Sequence, residues 1–234
     1  MGAFSRVIGI FFEPKKTFAD IAQWPSWIVP MILVILAAVG FTVAIGQRIG
    51  WQQVIRHQME TSTAMQQLPP EQREQSIALQ TKIASVTAYI GPVIGVPLYD
   101  VIAAAILLGI TALMGGGLRF KQVFAVVCYG GLPGVISALL KTAVVFLKNP
   151  EDFAMENPLP FFNLGAFMNP NTSSKFAYAF ASSMDLFAIW TILLLATGLK
   201  VAAGKRLTFA GALIAVLVPF FLLVLVGAGL ATLR

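Results

Sequence analysis

The chain has 234 residues, of which 58% are hydrophobic and 11% charged, and a formal net charge of +6. A soluble domain carries roughly a quarter of its residues as charges, so this composition excludes a water-soluble globule and points to lipid as the solvent over much of the surface. The basic residues stand singly between apolar runs, a pattern of membrane topology that leaves no nucleic-acid face.

Residues 1–26 form an amphipathic segment. Phe4, Ile8, Phe11 and Phe12 recur at i, i+4, i+7 and i+8, one helical face, beside Arg6, Lys15 and Lys16. This segment reads either as a helix lying on the inner membrane surface or as a cap packed on the bundle. Its apolar patch precedes Lys15 and Lys16 instead of following a basic start, unlike a signal peptide.

Five stretches follow that are long and apolar enough to cross about 30 Å of hydrocarbon at about 1.5 Å per residue. They are residues 27–46, 86–114, 122–147, 176–199 and 208–233. Lipid offers no partner for free backbone groups, so each span is helical. The predicted fold is therefore all-α, a polytopic bundle of five transmembrane helices over 27–234 with an N-terminal interfacial helix. The segment 51–85 is Gln-rich and divided by Pro69-Pro70, which predicts two short helices joined there, with His57 solvated between the spans. The Asn-Pro steps at 149, 157 and 169 predict an irregular loop over 148–175.

Arg119 and Lys121 lie between the second and third spans, and Lys200, Lys205 and Arg206 between the fourth and fifth, with no acid in either turn. Both turns fall on the side of the N-terminus. The positive-inside rule then puts the N-terminus in the cytoplasm and the C-terminus outside. There is also a weak internal echo: Leu118-Arg119-Phe120 opens the third span and Leu207-Thr208-Phe209 the fifth, and the span before each carries an aspartate.

Asp100, Lys141 and Asp185 fall inside these spans, where a charge costs at least about 2.5–3.5 kcal/mol. Asp185 is placed nine residues into its span, about 14 Å deep. Lys141 lies within snorkelling reach of the outer end of its helix. Asp100 is either central or, if a helix begins at Pro97, in a first turn. Two readings stay open: Lys141 pairs with one of the acids and docks helices, or the three form a proton or ion relay. Gly46…Gly50, Gly91…Gly95 and Gly130…Gly134 have the spacing that lets helices approach, within a chain or in a homodimer. Gly130, Gly131 and Pro133 interrupt the third span, as a kink or as a broken helix lining a site. Cys128, the one cysteine, reads as a small buried hydrophobe.

Three motifs carry a resemblance to a known family. They are Phe12-Glu13-Pro14-Lys15-Lys16-Thr17-Phe18; Leu118-Arg119-Phe120-Lys121-Gln122-Val123-Phe124 followed by Tyr129-Gly130 and Pro133; and Met184-Asp185-Leu186-Phe187-Ala188-Ile189-Trp190 followed by Gly198-Leu199. With five spans in this order the chain resembles the YIP family of Ypt/Rab-interacting-type membrane proteins, in its bacterial branch. The resemblance implies a cytoplasmic N-terminus. Eukaryotic members carry D-L-Y-G-P and Y-G-x-x-L-x-P motifs and are linked to Rab GTPases; here Pro97-Leu98-Tyr99-Asp100 and Tyr129-Gly130-Gly131-Leu132-Pro133 depart from both. For bacterial members the resemblance implies a fold and a location rather than a particular activity.

No Walker loop, HExxH, GxSxG or His-Cys cluster occurs in the sequence. The expected function is accordingly non-enzymatic, without cofactor or metal: an inner-membrane protein that organises the bilayer or a partner membrane protein. Its basic face (Lys15, Lys16, Arg119, Lys121, Lys205, Arg206) would meet anionic headgroups, with Phe11, Phe12 and Phe18 as wedges. The alternative is a small transporter or channel subunit using Asp100, Lys141 and Asp185.

Overall fold

The computed structural model describes residues 1–60, 69–150, 153, 157–170 and 172–232, and every regular element among them is a helix. The first 26 residues hold two helices, α1 (Ala3–Phe12) and α2 (Pro14–Gln23). Pro14 ends α1 and takes the first position of α2, where a missing N–H is harmless. The two fold back as a hairpin held by buried Arg6, whose Nε donates to Asp20 Oδ2 at 2.6 Å and whose Nη1 donates to Trp24 O at 2.9 Å and Ser26 Oγ at 2.7 Å.

The first span is α3 (Ile28–Arg48), followed by the short α4 (Trp51–Glu60). Pro70 then opens α5, which runs without interruption to Leu113, 44 residues with Pro92 and Pro97 inside it. The expectation of two short helices over 51–85 is thus corrected in its second half. A Gln/Glu/Ala-rich stretch of high helix propensity runs straight into the apolar one, and Asp100 lies in the helix interior rather than in a first turn. At about 1.5 Å per residue α5 is about 66 Å long, twice what the hydrocarbon needs. Ile55 and Met59 of α4 pack on Ile77, and Arg56 Nη1 meets Glu74 Oε1 at 3.2 Å.

The third span is α6 (Phe120–Gly130) followed by α7 (Pro133–Leu147). The interruption at Gly131-Leu132 is a tight kink, closed by Leu132 N donating to Tyr129 O at 3.2 Å and Gly134 N to Gly131 O at 2.9 Å. Two single 3-10 turns, Pro160–Phe162 and Leu164–Phe167, order part of the loop expected to be irregular. α8 (Lys175–Ser183) and α9 (Leu186–Ala203) are separate helices. The span expected at 176–199 therefore begins only at Leu186 and reaches Arg206. The last span is α10 (Phe209–Ala231).

The core is densest at the end carrying the basic turns. There α1 and α2 lie against α6 and α9, burying Ile10, Phe18, Ile21, Val126, Tyr129 and Leu199. Gly198 makes this possible: the Phe18 ring and Val126 occupy the space a Cβ would take. A smaller cluster of Ala44, Ile45, Val54, Val145 and Phe153 closes the opposite end. Of the expected glycine contacts, Gly130 receives Leu195 and Gly46 receives Tyr89 and Trp51, whereas Gly50, Gly91, Gly95 and Gly134 face open space.

Candidate functional site

Two regions gather the polar chemistry. The first is the basic end. Arg119 caps α6, its N donating to Gln122 Oε1 at 3.1 Å, and Gln122 Nε2 reaches Ala22 O of α2 at 3.0 Å. Arg206 lays its guanidinium against Gly117, which has φ +61° and no side chain to obstruct it. The turn carrying Arg119 and Lys121 and the turn carrying Lys205 and Arg206 thereby meet, and all four side chains are exposed.

Lys15 and Lys16 are exposed on the α1–α2 hairpin, Lys16 Nζ lying 2.8 Å from Glu13 Oε2. The expected wedges are corrected in two of three cases. Phe18 is fully buried, and Phe11 stands edge-on to Trp190 with centroids 5.3 Å apart. Only Phe12 projects, 82% exposed, and it forms a row with Phe4 (75%) and Ile8 (46%) along α1. The turn at Glu13-Pro14 explains this: it sets Phe18 on a second helix and aims it at the bundle. Pro14 was the available signal for that turn.

The second region is at the opposite end of α9. Asp185 is the N-cap of α9, its Oδ1 accepting from Ala188 N at 2.7 Å. The reading of Asp185 as nine residues deep in a span is overturned, because Ser183 ends α8 and the chain kinks at Met184 to start a new helix. The backbone there is clamped to the loop, Asn163 bridging Asp185 and Leu164 N donating to Met184 O at 3.3 Å. Asn163 and Asn157 form the roof. Asn163 Nδ2 donates to Asn157 Oδ1 at 2.7 Å and to Leu159 O at 2.9 Å, and Asn157 Nδ2 reaches Tyr178 Oη at 3.2 Å. In the sequence Asn157 reads only as part of an Asn-Pro turn, and Asn163 carries no signal of its own.

Under this roof lies a small polar chamber of about 100 Å³, lined by Ser137, Lys141, Asn157, Ser182 and Asp185 among others. It shares Ser137, Lys141, Asp185 and Phe187 with a cavity of about 780 Å³ bounded by all five spans. The larger walls are apolar, from Phe41, Ile102, Ala138, Leu195, Pro219 and Phe220, and Gly134 beside the kink of the third span is among them.

The expected ion pairs do not form among the described residues: Lys141 makes no salt bridge with either acid. Asp100 lies outside both chambers, buried between α5 and α6, where Cys128 Sγ donates to its Oδ2 at 3.5 Å. Cys128 is thus a weak hydrogen-bond donor to Asp100 as well as a packed side chain. The three intramembrane candidates divide into a cavity pair and a separate helix-docking acid. No group of three or more potential metal ligands occurs among the described residues.

Five apolar helices of spanning length define a multi-pass membrane protein. The family model of the Yip1 domain matches residues 8–230, nearly the whole chain, and the protein belongs to that family. No curated protein and no solved structure matches it.

Proposed function

We propose that the protein is a non-enzymatic organiser of the bacterial cytoplasmic membrane, its N-terminus in the cytoplasm and its C-terminus outside. It engages the inner bilayer surface through the α1–α2 hairpin and the basic turns. The observation that carries this reading is the exposed row of Phe4, Ile8 and Phe12 beside exposed Lys15 and Lys16, on a hairpin whose other side is locked to the bundle. An apolar row flanked by lysines suits anionic headgroups, with the rings entering the acyl boundary and the ammonium groups remaining among phosphates. Arg119, Lys121, Lys205 and Arg206 extend the same charge.

The test uses the full chain in nanodiscs with a polarity-sensitive fluorophore on Ser5→Cys, an exposed α1 position. Emission should move to the blue when phosphatidylglycerol is added to phosphatidylcholine, and the shift should shrink at high salt, where screening shortens to about 3 Å at 1 M. Lys15→Gln with Lys16→Gln should erase the lipid difference, and serine at positions 4, 8 and 12 should return the label to water. A label reporting water in both bilayers would sink the proposal.

One observation favours the transporter reading: Lys141 and Asp185 line a common cavity without pairing. Against it, Asp100 stands apart, and between the cavity and the basic end lies packed core of Ala104, Val126 and Leu199. Proton or sodium flux in liposomes that Asp185→Asn abolishes would put it first.

A further inference from the structure

The joined chambers have the shape and chemistry of an amphiphile site. About 780 Å³ of apolar cavity falls within the roughly 300–1,000 Å³ of ligand pockets. Its two charged groups, Lys141 and Asp185, stand together beneath the Asn157–Asn163 roof. Interiors are packed close to crystal density, so a hollow of this size between lipid-facing helices invites acyl chains.

The two charges narrow the headgroup. Among the described residues Lys141 has no acid partner. Asp185 commits one oxygen, Oδ1, to the backbone of α9 and keeps the other available. One cation and one anion left unpaired in the same chamber match a ligand carrying one anion and one cation. A phosphate would accept from Lys141 Nζ and Ser137 Oγ, and an ammonium would donate to Asp185 Oδ2. An anionic lipid would meet Lys141 favourably but would set its charge against Asp185.

We propose that the cavity is a binding site for one zwitterionic phosphate–amine phospholipid, its chains among the spans and its headgroup between Lys141 and Asp185. The site lies at the end of α9 opposite Lys205 and Arg206. It uses none of the hairpin residues on which the membrane-organising reading rests, so the two stand or fall separately.

The experiment is native mass spectrometry of the full chain, delipidated in detergent and titrated with dioleoyl phosphatidylethanolamine or, in parallel, dioleoyl phosphatidylglycerol. One phosphatidylethanolamine per chain is expected, bound about tenfold or more tighter than phosphatidylglycerol. Lys141→Met should weaken it by a similar factor. Asp185→Asn, which keeps a capping oxygen, should remove the preference between the two lipids. Gly134→Leu tests occupancy without touching a charge, because a side chain there meets open space and enters the cavity; it should abolish the bound lipid while the chain stays monodisperse. Equal binding of both lipids by the wild type overturns the headgroup assignment. Lipid retained by Gly134→Leu, or no stoichiometric lipid on the wild type, overturns the site.

Discussion

At an N-cap, an aspartate and an asparagine offer the same acceptor to the first turn, and alanine offers none. Asp185 is such a cap, through Ala188 N. Asp185→Ala should therefore lose about 1 kcal/mol of stability, within a usual range of about 0.5–2, while Asp185→Asn stays near wild type. Thermal unfolding of the two variants in one detergent measures this. Equal loss in both would mean that the negative charge, rather than the cap, holds the α8–α9 joint. Asp100 has a different role, with Cys128 as its partner across α5 and α6. Neither arrangement was legible from the positions of the acids in apolar runs. An acid that starts a helix and one that docks two helices leave the same trace in a hydropathy profile. The cap did have a local signal, an Asp directly before an uncharged run, but the apolar residues before it merged the two helices.

The α1–α2 hairpin depends on one charged cluster. Asp20 accepts from the chain's α-amino group at 2.9 Å and from Arg6 at 2.6 Å. The terminal ammonium first, and then the Arg6 guanidinium, hold its carboxyl below the usual carboxylate range. A depressed carboxyl contributes stability above its unfolded-state pKa and loses it as pH falls through the folded-state value. The melting temperature should accordingly drop on acidification below the ordinary carboxyl range, as Asp20 takes up its proton and Arg6 stays buried without its counter-charge. In Asp20→Asn that part of the pH dependence should be missing and stability at neutral pH should be lower. A wild-type and variant profile of the same slope would show that the cluster adds nothing. The hairpin itself was half legible: periodicity found the row of α1, but grouping Phe18 with Phe11 and Phe12 as wedges overlooked the turn at Pro14 that aims it at the bundle.

For the molecule as a whole, length and apolar character made the five spans legible, and the two basic turns lie at one end of the bundle, where Arg206 rests against Gly117. The internal echo holds at the helix starts, Arg119 and Thr208 both preceding a phenylalanine that begins a helix, and fails at the acids, one interior and one a cap. The cavity was not legible, because no single helix encodes it. It arises where five walls fail to meet around the kink at Gly131-Leu132. Orientation is open to a direct test, helped by the burial of Cys128. A membrane-impermeant maleimide on intact cells should label Gln75→Cys, on the exposed part of α5, and should label Lys205→Cys only after lysis. The reverse pattern would invert the topology.

The length of α5 has a mechanical consequence. Its residues Pro92, Tyr99, Ile102 and Ile106 line the cavity, and its first residue, Pro70, lies 29 residues before Tyr99, an arm of about 44 Å. A change of tilt of about 10° at the cavity wall moves the far end by about 8 Å. α4 travels with it through Ile55, Met59 and the Arg56–Glu74 pair. Any change of tilt at the wall of the hollow between the spans would therefore be read out, enlarged, on the side of the membrane where that arm emerges.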